Sequence, residues 1–299
     1  MALHFLPEGP ALVIEDTMRV LVIADLHLGI ESDLDVHGIH IPSQVRGRVD
    51  RVLACIAEGR PDLVLLLGDV KHSVPLTTRQ EYRELPVLLE EIRSRAPLRV
   101  VPGNHDGGIE RFLQEGELLP TRGALVDGVG YLHGHTYPDP ALLGHLLVIG
   151  HHHPMVALRD KVGCALRDRA YLLTSVDEQC LGLAGEAKGT EEGVAGGSHE
   201  HGGNRGRGGT GGPKRTAERK NAGEGEAGGT ADGRVTDGAR SCPTRVLVMP
   251  AFNELTGYDI TGLQVSTLGP LSRCMDFPNA EVFLTDGTYL GLLGRLGEE

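Results

Sequence analysis

The chain has 299 residues, 40% of them hydrophobic, which is enough to bury a substantial core. Its formal net charge of -12 argues against a broad electrostatic surface for DNA or RNA, because phosphate backbones are bound mainly by lysine and arginine. No apolar run approaches the ~20 residues that span a bilayer, and no signal-peptide pattern opens the chain, so we expect a cytoplasmic protein without membrane contact.

The first 184 residues alternate short apolar runs with amphipathic stretches, which is typical of an α/β protein. We predict buried strands at residues 19–24, 63–67, 98–101 and 146–149. Helical spacing covers residues 43–58, with Ser43 as the N-cap, and residues 77–95, ahead of Pro97. Residues 123–132 form a predicted hairpin that turns at Asp127-Gly128.

Residues 185–240 differ from the rest of the chain in composition. They hold 18 of the 43 glycines and no aromatic residue. Such a segment buries too little apolar area to offset its conformational entropy, so we predict a disordered insert. A strand at 245–249 and a hairpin at 281–290 follow it. We therefore predict one domain made of residues 1–184 and 241–299.

The five cysteines are widely spaced and form no C-x-x-C pair, so zinc or redox chemistry is not indicated. We expect reduced thiols. Two basic runs in the insert, at 205–209 and 214–220, leave open whether it contacts nucleic acid or is only a solvated spacer.

Polar clusters follow the predicted strands at the points where these strands end, which is where open α/β sheets bind ligands. The clusters are Asp25-Leu26-His27, Gly68-Asp69-Val70-Lys71-His72, Gly103-Asn104-His105-Asp106, His133-Gly134-His135 and Gly150-His151-His152-His153. Any one of them is equally well explained by a turn or a helix cap. Together they supply the oxygen and imidazole ligands that suit divalent metals.

In chain order these motifs resemble those of the calcineurin-like metallophosphoesterases: D-x-H, G-D, G-N-H-D, a single H and G-H-x-H. The resemblance implies a four-layer α/β/β/α sandwich with two central mixed β-sheets. It also implies an enzyme in which two divalent ions activate a hydroxide, with Mn expected and Fe, Zn, Ni or Co as alternatives. The implied metal ligands are Asp25, His27 and His153 for one ion, Asn104, His133 and His151 for the other, and Asp69 as the bridge.

Three further residues are candidates for catalysis. His105 is a candidate for stabilising the phosphoryl charge or protonating the leaving oxygen, and Asp106 for orienting the His105 ring. A helix N-cap explains Asp106 equally well. His72 is a candidate for assisting the leaving group, with a solvated loop histidine as the alternative. We do not expect His135 or His152 to bind metal.

His72, three residues after Asp69, and the segment 249–253 resemble an archaeal branch related to the SbcD nuclease subunit and to DNA-ligase-associated phosphoesterases. This resemblance implies hydrolysis of phosphodiester bonds in nucleic acids or nucleotides. A small-molecule phosphatase, a cyclic phosphodiesterase and a non-catalytic scaffold stay open as alternatives, and so does a homodimer. The second motif lacks the G-D-x-x-D-R-G form of protein phosphatases, so phosphoprotein is not expected to be the substrate.

Overall fold

The computed structural model of the chain describes residues 1–159, 165–182, 243–260 and 269–296. The predicted insert at 185–240 lies outside the described residues. No helix within the described ranges is both long and apolar enough to cross a membrane.

Five strands form the first sheet, in the order in which they occur along the chain. They are β1 (Ala2–Leu6), β2 (Ala11–Glu15), β3 (Arg19–Ile23), β4 (Leu63–Leu67) and β5 (Leu98–Val101). β1, β2 and β3 pair antiparallel, whereas β3, β4 and β5 pair parallel. Parallel neighbours require long crossovers, which here contain the helices α1 (Ile30–Val36), α2 (Val45–Gly59) and α3 (Arg79–Arg93).

The second sheet has nine strands in the described residues and is also mixed. They are β6 (Ala124–Val126), β7 (Val129–Leu132), β8 (Leu146–Ile149), β9 (Pro154–Arg159), β10 (Ala165–Ser175), β11 (Arg245–Val248), β12 (Tyr258–Asp259), β13 (Glu281–Leu284) and β14 (Tyr289–Leu292). Their order is β12-β9-β10-β11-β8-β7-β6, with β13 paired to β10 and β14 paired to β13. β7, β8 and β11 run parallel to one another.

Alternation along the strands sorts side chains into three apolar layers. In β4, Val64 and Leu66 pack against the helices, while Leu65 packs between the two sheets. The outer face of the second sheet is covered by short helical segments that carry Leu142, Leu181, Cys274 and Leu293. The predicted fold class, with two central mixed sheets packed face to face and helical layers outside, is confirmed.

The predicted strands and helices occur with shifts of a few residues. α2 begins at Val45 with Gln44 as its N-cap, so the assignment of Ser43 to that position was wrong. The Ser43 hydroxyl, one residue earlier, accepts the Val45 N–H (3.3 Å) and donates to Glu84 Oε1 (2.6 Å). α3 begins after Thr78, which forms a capping box with Glu81.

The expectation of reduced cysteines was wrong for one pair. Cys180 and Cys274 form a disulfide across 94 residues of sequence. Both residues belong to the helical layer on the outer face of the second sheet, where packing brings them together. Cys55 is a free thiol buried in the other outer layer.

Candidate metal centre

The loops that follow β3, β4, β7 and β8 are joined by backbone hydrogen bonds at one edge of the two sheets. The Asp25 N–H donates to the Gly68 carbonyl (3.1 Å), and the His27 N–H donates to the Asp69 carbonyl (2.8 Å). The two sheets meet where the His151 N–H donates to the Asp25 carboxylate (3.0 Å). The loops predicted to carry ligands therefore form one structural unit.

Five of the predicted ligands have left-handed backbone conformations, which are uncommon for residues other than glycine. The φ angles are 55° at Asp25, 44° at His27, 46° at Asp69, 69° at His151 and 44° at His153. Among the described residues other than glycine, only Arg60 and Asp127 also have positive φ without being predicted ligands. Unfavourable backbone geometry is thus concentrated at the candidate site, as is common where function fixes the conformation.

Asp25, His27, Asp69 and His153 form the first cluster, in which one potential ligand atom from each residue lies within 4.8 Å of the others. His153 Nε2 lies 3.0 Å from Asp25 Oδ1. His27 Nε2 lies 3.4 Å from His153 Nε2 and 3.7 Å from Asp69 Oδ2. All four side chains are buried.

Asp69, His133 and His151 form the second cluster, within the same distance limit. His133 Nε2 lies 3.3 Å from Asp69 Oδ2, and Nδ1 of the same ring faces the Leu67 carbonyl at 3.1 Å. Because Nδ1 is held by a carbonyl, Nε2 is the nitrogen directed at the cluster. Asp69 belongs to both clusters.

Asn104 lies in the loop after β5, between two residues with anchored backbone groups. The Gly103 N–H donates to Asp106 Oδ2 (2.8 Å), and the His105 N–H donates to Asp69 Oδ1 (2.8 Å). Asn104 itself is exposed. This loop is therefore tied to the carboxylate that the two clusters share.

Burial and charge set the protonation of the histidines. Burial lowers the pKa of His27 and His151 to about 3, so both rings are neutral at pH 7 and have a lone pair to donate. Burial would also lower the pKa of His133, but its contact with Asp69 and the charges of Asp69 and Asp25 raise it to about 9. Burial opposes ionisation of Asp69, yet His133 and His27 hold the pKa of this carboxyl below its usual range.

These donor sets fit divalent metal ions. In the first cluster two imidazole nitrogens converge at 3.4 Å beside buried carboxylates. In the second, His133 Nε2 is buried and makes no aligned hydrogen bond. Metal binding requires neutral imidazole, so an ion there would take the place of the proton that His133 otherwise carries. Carboxylate oxygen and imidazole nitrogen together suit Mn, Fe, Zn and similar metals.

The candidate catalytic histidines lie at the partly exposed side of the first cluster. The His72 and His105 side chains are 19% and 28% exposed. His72 Nδ1 lies 3.2 Å from His27 Nδ1, and the His72 and His105 rings stack 5.3 Å apart. His27, His72 and His105 form a third group of potential ligands that shares His27 with the first cluster.

The two roles considered for Asp106 need correction. Its carboxylate accepts the backbone N–H groups of Lys71 (3.1 Å) and Gly103 (2.8 Å), whereas His105 Nδ1 pairs with the His72 carbonyl. The short helical segment that follows, Ile109–Phe112, is capped by Gly108. Asp106 therefore clamps the loops after β4 and β5 together, and neither orients the His105 ring nor caps a helix. Burial and the charge of Asp69 raise the pKa of Asp106 to about 6.

His135 and His152 are not members of the groups of potential ligands found among the described residues. The His135 ring lies 5.2 Å from the His133 ring, and His152 Nδ1 faces the Gly150 carbonyl at 3.0 Å. Burial lowers the pKa of both rings to about 4, so both are neutral at pH 7. That neither binds metal stays a prediction.

Buried polar residues behind the first cluster were not predicted as part of the site. Arg48 and Glu31 form a buried ion pair, and Asn253 bonds to the loop that carries Asp25 and His27. The sequence held one signal, since Arg48 lies on the apolar face of α2 together with Val49 and Val52. A charge at such a position needs a buried partner.

One family model and two solved structures are similar to this chain. The family model for the calcineurin-like phosphoesterases matches residues 18–175. The crystal structure of Pseudomonas putida nuclease MPE is 14% identical, with 94% of this chain and 100% of that chain covered and a TM-score of 0.47. Yfce, a phosphoesterase from E. coli, is 22% identical, with 47% of this chain and 73% of that chain covered and a TM-score of 0.31.

Proposed function

Because the chain belongs to the calcineurin-like phosphoesterase family, we propose that it hydrolyses phosphodiester bonds in nucleic acids or nucleotides with two divalent metal ions. At the level of the family it is a metal-dependent hydrolase of phosphoester bonds. The observation that carries the dinuclear proposal is the Asp69 carboxylate, which belongs to both donor clusters. One shared carboxylate favours two adjacent ions over two separate sites.

In the proposed centre each residue has a specific role. Asp25, His27 and His153 would hold one ion and His133 and His151 the other, with Asp69 available to both. Asn104 is proposed as a further ligand of the second ion from the family motif. Two such ions would activate a water molecule for attack on phosphorus and stabilise the charge that develops in the transition state. The chain itself contributes rigid, buried carboxylates and neutral imidazoles, and no protein nucleophile is required.

His105 acts on the leaving oxygen in this proposal. Its Nδ1 is paired with the His72 carbonyl, so Nε2 is the nitrogen left to act on the leaving oxygen. Its 28% exposure makes it accessible from solvent, unlike the buried ligands. His72, stacked on His105, is proposed to assist on the same side.

The position of Tyr258 favours a substrate that contains a planar group. It is 49% exposed, and its ring lies nearly parallel to the ring of His153, at 5.8 Å and 24°. An accessible aromatic face beside a phosphoester site offers a stacking surface for a nucleobase. The proposed substrate is therefore a nucleotidyl diester.

The acidic composition favours a second candidate, a phosphatase or cyclic phosphodiesterase for small molecules. The net charge of -12 disfavours contact with long nucleic acids, and small substrates are less affected by this charge. The placement in the archaeal branch, the preference for manganese and a homodimer stay predictions.

A substrate panel separates these candidates. The protein loaded with Mn²⁺ is assayed on single-stranded DNA, bis-p-nitrophenyl phosphate and p-nitrophenyl phosphate. We expect turnover of both diesters, and turnover of the monoester alone would contradict the proposal. Parallel loading with Fe, Zn, Ni or Co tests the preferred metal.

Asp69→Asn is the test variant for this panel, because Asn tolerates the left-handed φ of 46° at this position. We expect it to lower kcat/KM by at least ~100-fold, or about 2.7 kcal/mol. Asp127→Asn makes the same change at a similar φ of 49° in the hairpin turn and should leave activity unchanged. Activity that survives Asp69→Asn would refute the dinuclear centre.

A further inference from the structure

The segment that follows β11 leaves the second sheet and runs along the loop that carries Asp25 and His27. The Met249 N–H still donates to the Ile149 carbonyl of β8 (2.7 Å). Four residues later the Asn253 N–H donates to the Asp25 carbonyl (3.2 Å), after Phe252 has bonded to Ala24 (2.9 Å). This segment therefore connects the strand before His151 with the loop of the first cluster.

The Asn253 side chain is fully buried, and its amide is satisfied on both sides. Nδ2 donates to the carbonyls of Leu26 (2.8 Å) and His27 (3.2 Å). Oδ1 accepts from the Leu255 N–H (2.8 Å) and from Arg48 (3.4 Å). Acceptors face one side of the amide and donors face the other, so its orientation is determined by its surroundings.

Arg48 is itself held by carboxylates. This buried guanidinium lies 2.8 Å from Glu31 Oε1 and 2.7 Å from Glu254 Oε1. Glu31 also accepts the Gln44 N–H (3.0 Å), just before α2. The network thus joins α1, α2 and the segment after β11 behind the first cluster.

The loop needs such support because Asp25 and His27 both have left-handed backbone conformations, at φ of 55° and 44°. The Leu26 carbonyl accepts from Asn253, and the His27 carbonyl accepts from Asn253 and from the Ile30 N–H (3.3 Å). Without that donor, two buried carbonyls would lose a partner.

We propose that Asn253 is a positioning residue that holds Asp25 and His27 in the geometry required at one of the two metal positions, with Arg48 fixing the orientation of its amide. This inference rests on the proposed dinuclear function. The effect is selective, because His133 and His151 are carried by the ends of β7 and β8, and Nδ1 of His133 is held by Leu67 rather than by Asn253.

Asn253→Asp is the sharpest test. It keeps the shape of the side chain and the oxygen that accepts from Leu255 and Arg48, but a carboxylate oxygen replaces the donor and faces the Leu26 and His27 carbonyls, so both bonds to the loop are lost and replaced by repulsion. Mn²⁺ binding is measured by titration calorimetry and by metal analysis after gel filtration. We expect one binding step to weaken by roughly 10–100-fold while the other stays at the wild-type affinity.

Asn279→Asp is the control. This exposed residue donates to Asp276 Oδ2 (2.8 Å) just before β13, and the same chemical change there should leave both binding steps unaltered. Two steps at wild-type affinity in Asn253→Asp, or equal weakening of both, would overturn the proposal. Wild-type protein that bound no Mn²⁺ would instead overturn the function on which it rests.

If Asn253→Asp does not fold, Arg48→Lys is used in the same way. Lysine keeps the charge beside Glu31 and Glu254, but its single nitrogen cannot replace the separate guanidinium nitrogens that face Glu31, Glu254 and Asn253, so the contact with Asn253 is lost. Selective weakening of one step supports the proposal, and two unaltered steps overturn it.

Discussion

At the scale of single residues, five of the seven candidate ligands have an unfavourable backbone conformation. Left-handed conformations cost on the order of 1–3 kcal/mol each when the residue is not glycine. At Asp25 and His27 this cost is offset by hydrogen bonds to neighbouring loops. The two N–H groups donate to the Gly68 and Asp69 carbonyls, and the His27 carbonyl accepts from Asn253. The donor groups are therefore arranged before any ion binds, which reduces the reorganisation that binding requires.

His105→Gln tests the assignment of the leaving-group acid. A nitrophenolate leaves without protonation, whereas the sugar oxygen of a dinucleotide requires it. We therefore expect a loss of ~100-fold in kcat on a dinucleotide, and a much smaller loss on bis-p-nitrophenyl phosphate. Mn²⁺ stoichiometry should not change, because His105 belongs to neither of the two clusters that contain Asp69.

The matched control for this variant is His145→Gln. His145 Nδ1 also faces a backbone carbonyl, that of Gly128 at 3.1 Å, but the residue lies just before β8 at the end opposite the site. It should behave as wild type on both substrates. Equal losses on the two substrates in His105→Gln would contradict a role in protonating the leaving group.

The site was predictable at this scale where the chemistry is carried by residue type and order. Asp, Asn and His at strand ends are visible in a sequence, and the structure brings six of the seven predicted ligands into two clusters. Asn253 and Arg48 were not predictable as support, because their partners lie about 200 residues apart in the chain. The role of Asp106 was not predictable either, because it depends on which backbone N–H groups its carboxylate accepts in the folded chain.

At the scale of elements, the buried parallel strands were predicted well, whereas several antiparallel strands were not, including the buried β2 and the 11-residue β10. β4 and β5 are continuous apolar runs because both of their faces are covered. β1 is half exposed, and no element was predicted there. The disulfide between Cys180 and Cys274 had no local signal, since packing of two short helical segments creates it.

Gly68→Ala tests how closely neighbouring loops approach at the site. A methyl group at Gly68 would overlap the His133 ring, whereas at Gly128 nothing lies within 4 Å. Both glycines have left-handed backbones, at φ of 77° and 76°, so both variants lose about 1–2 kcal/mol from strain. Only Gly68→Ala should also weaken Mn²⁺ binding, by displacing His133.

Urea unfolding and Mn²⁺ titration of the two variants separate these effects. Gly128→Ala gives the cost of the backbone conformation alone, and the difference between the variants gives the cost of the collision. Equal Mn²⁺ affinity in Gly68→Ala and Gly128→Ala would show that His133 is not displaced, and would argue against its assignment as a ligand.

At the scale of the whole molecule, the strands on either side of the proposed insert are direct neighbours. Ser175 at the end of β10 pairs with Arg245 at the start of β11, and the Val176 N–H donates to the Thr244 carbonyl (3.0 Å). The chain thus leaves the second sheet and re-enters it at adjacent positions. This pairing supports the proposal that residues 1–184 and 241–299 form one domain.

Deleting residues 185–240 and closing the gap with a short glycine-serine linker tests that proposal. The paired ends of β10 and β11 stay in register, and loop length has only a small effect on the closure entropy. We expect unchanged Mn²⁺ stoichiometry and unchanged kcat/KM on bis-p-nitrophenyl phosphate. Loss of the folded state would mean that these residues belong to the domain core.

The same deletion variant distinguishes a spacer from a nucleic-acid contact. The removed residues carry nine basic side chains, including the runs at 205–209 and 214–220. If these side chains bind phosphates, the deletion weakens binding of single-stranded DNA and flattens its dependence on salt concentration, while turnover of the small diester is unaffected. We expect no change in either property, because nine acidic residues in the same segment balance that charge.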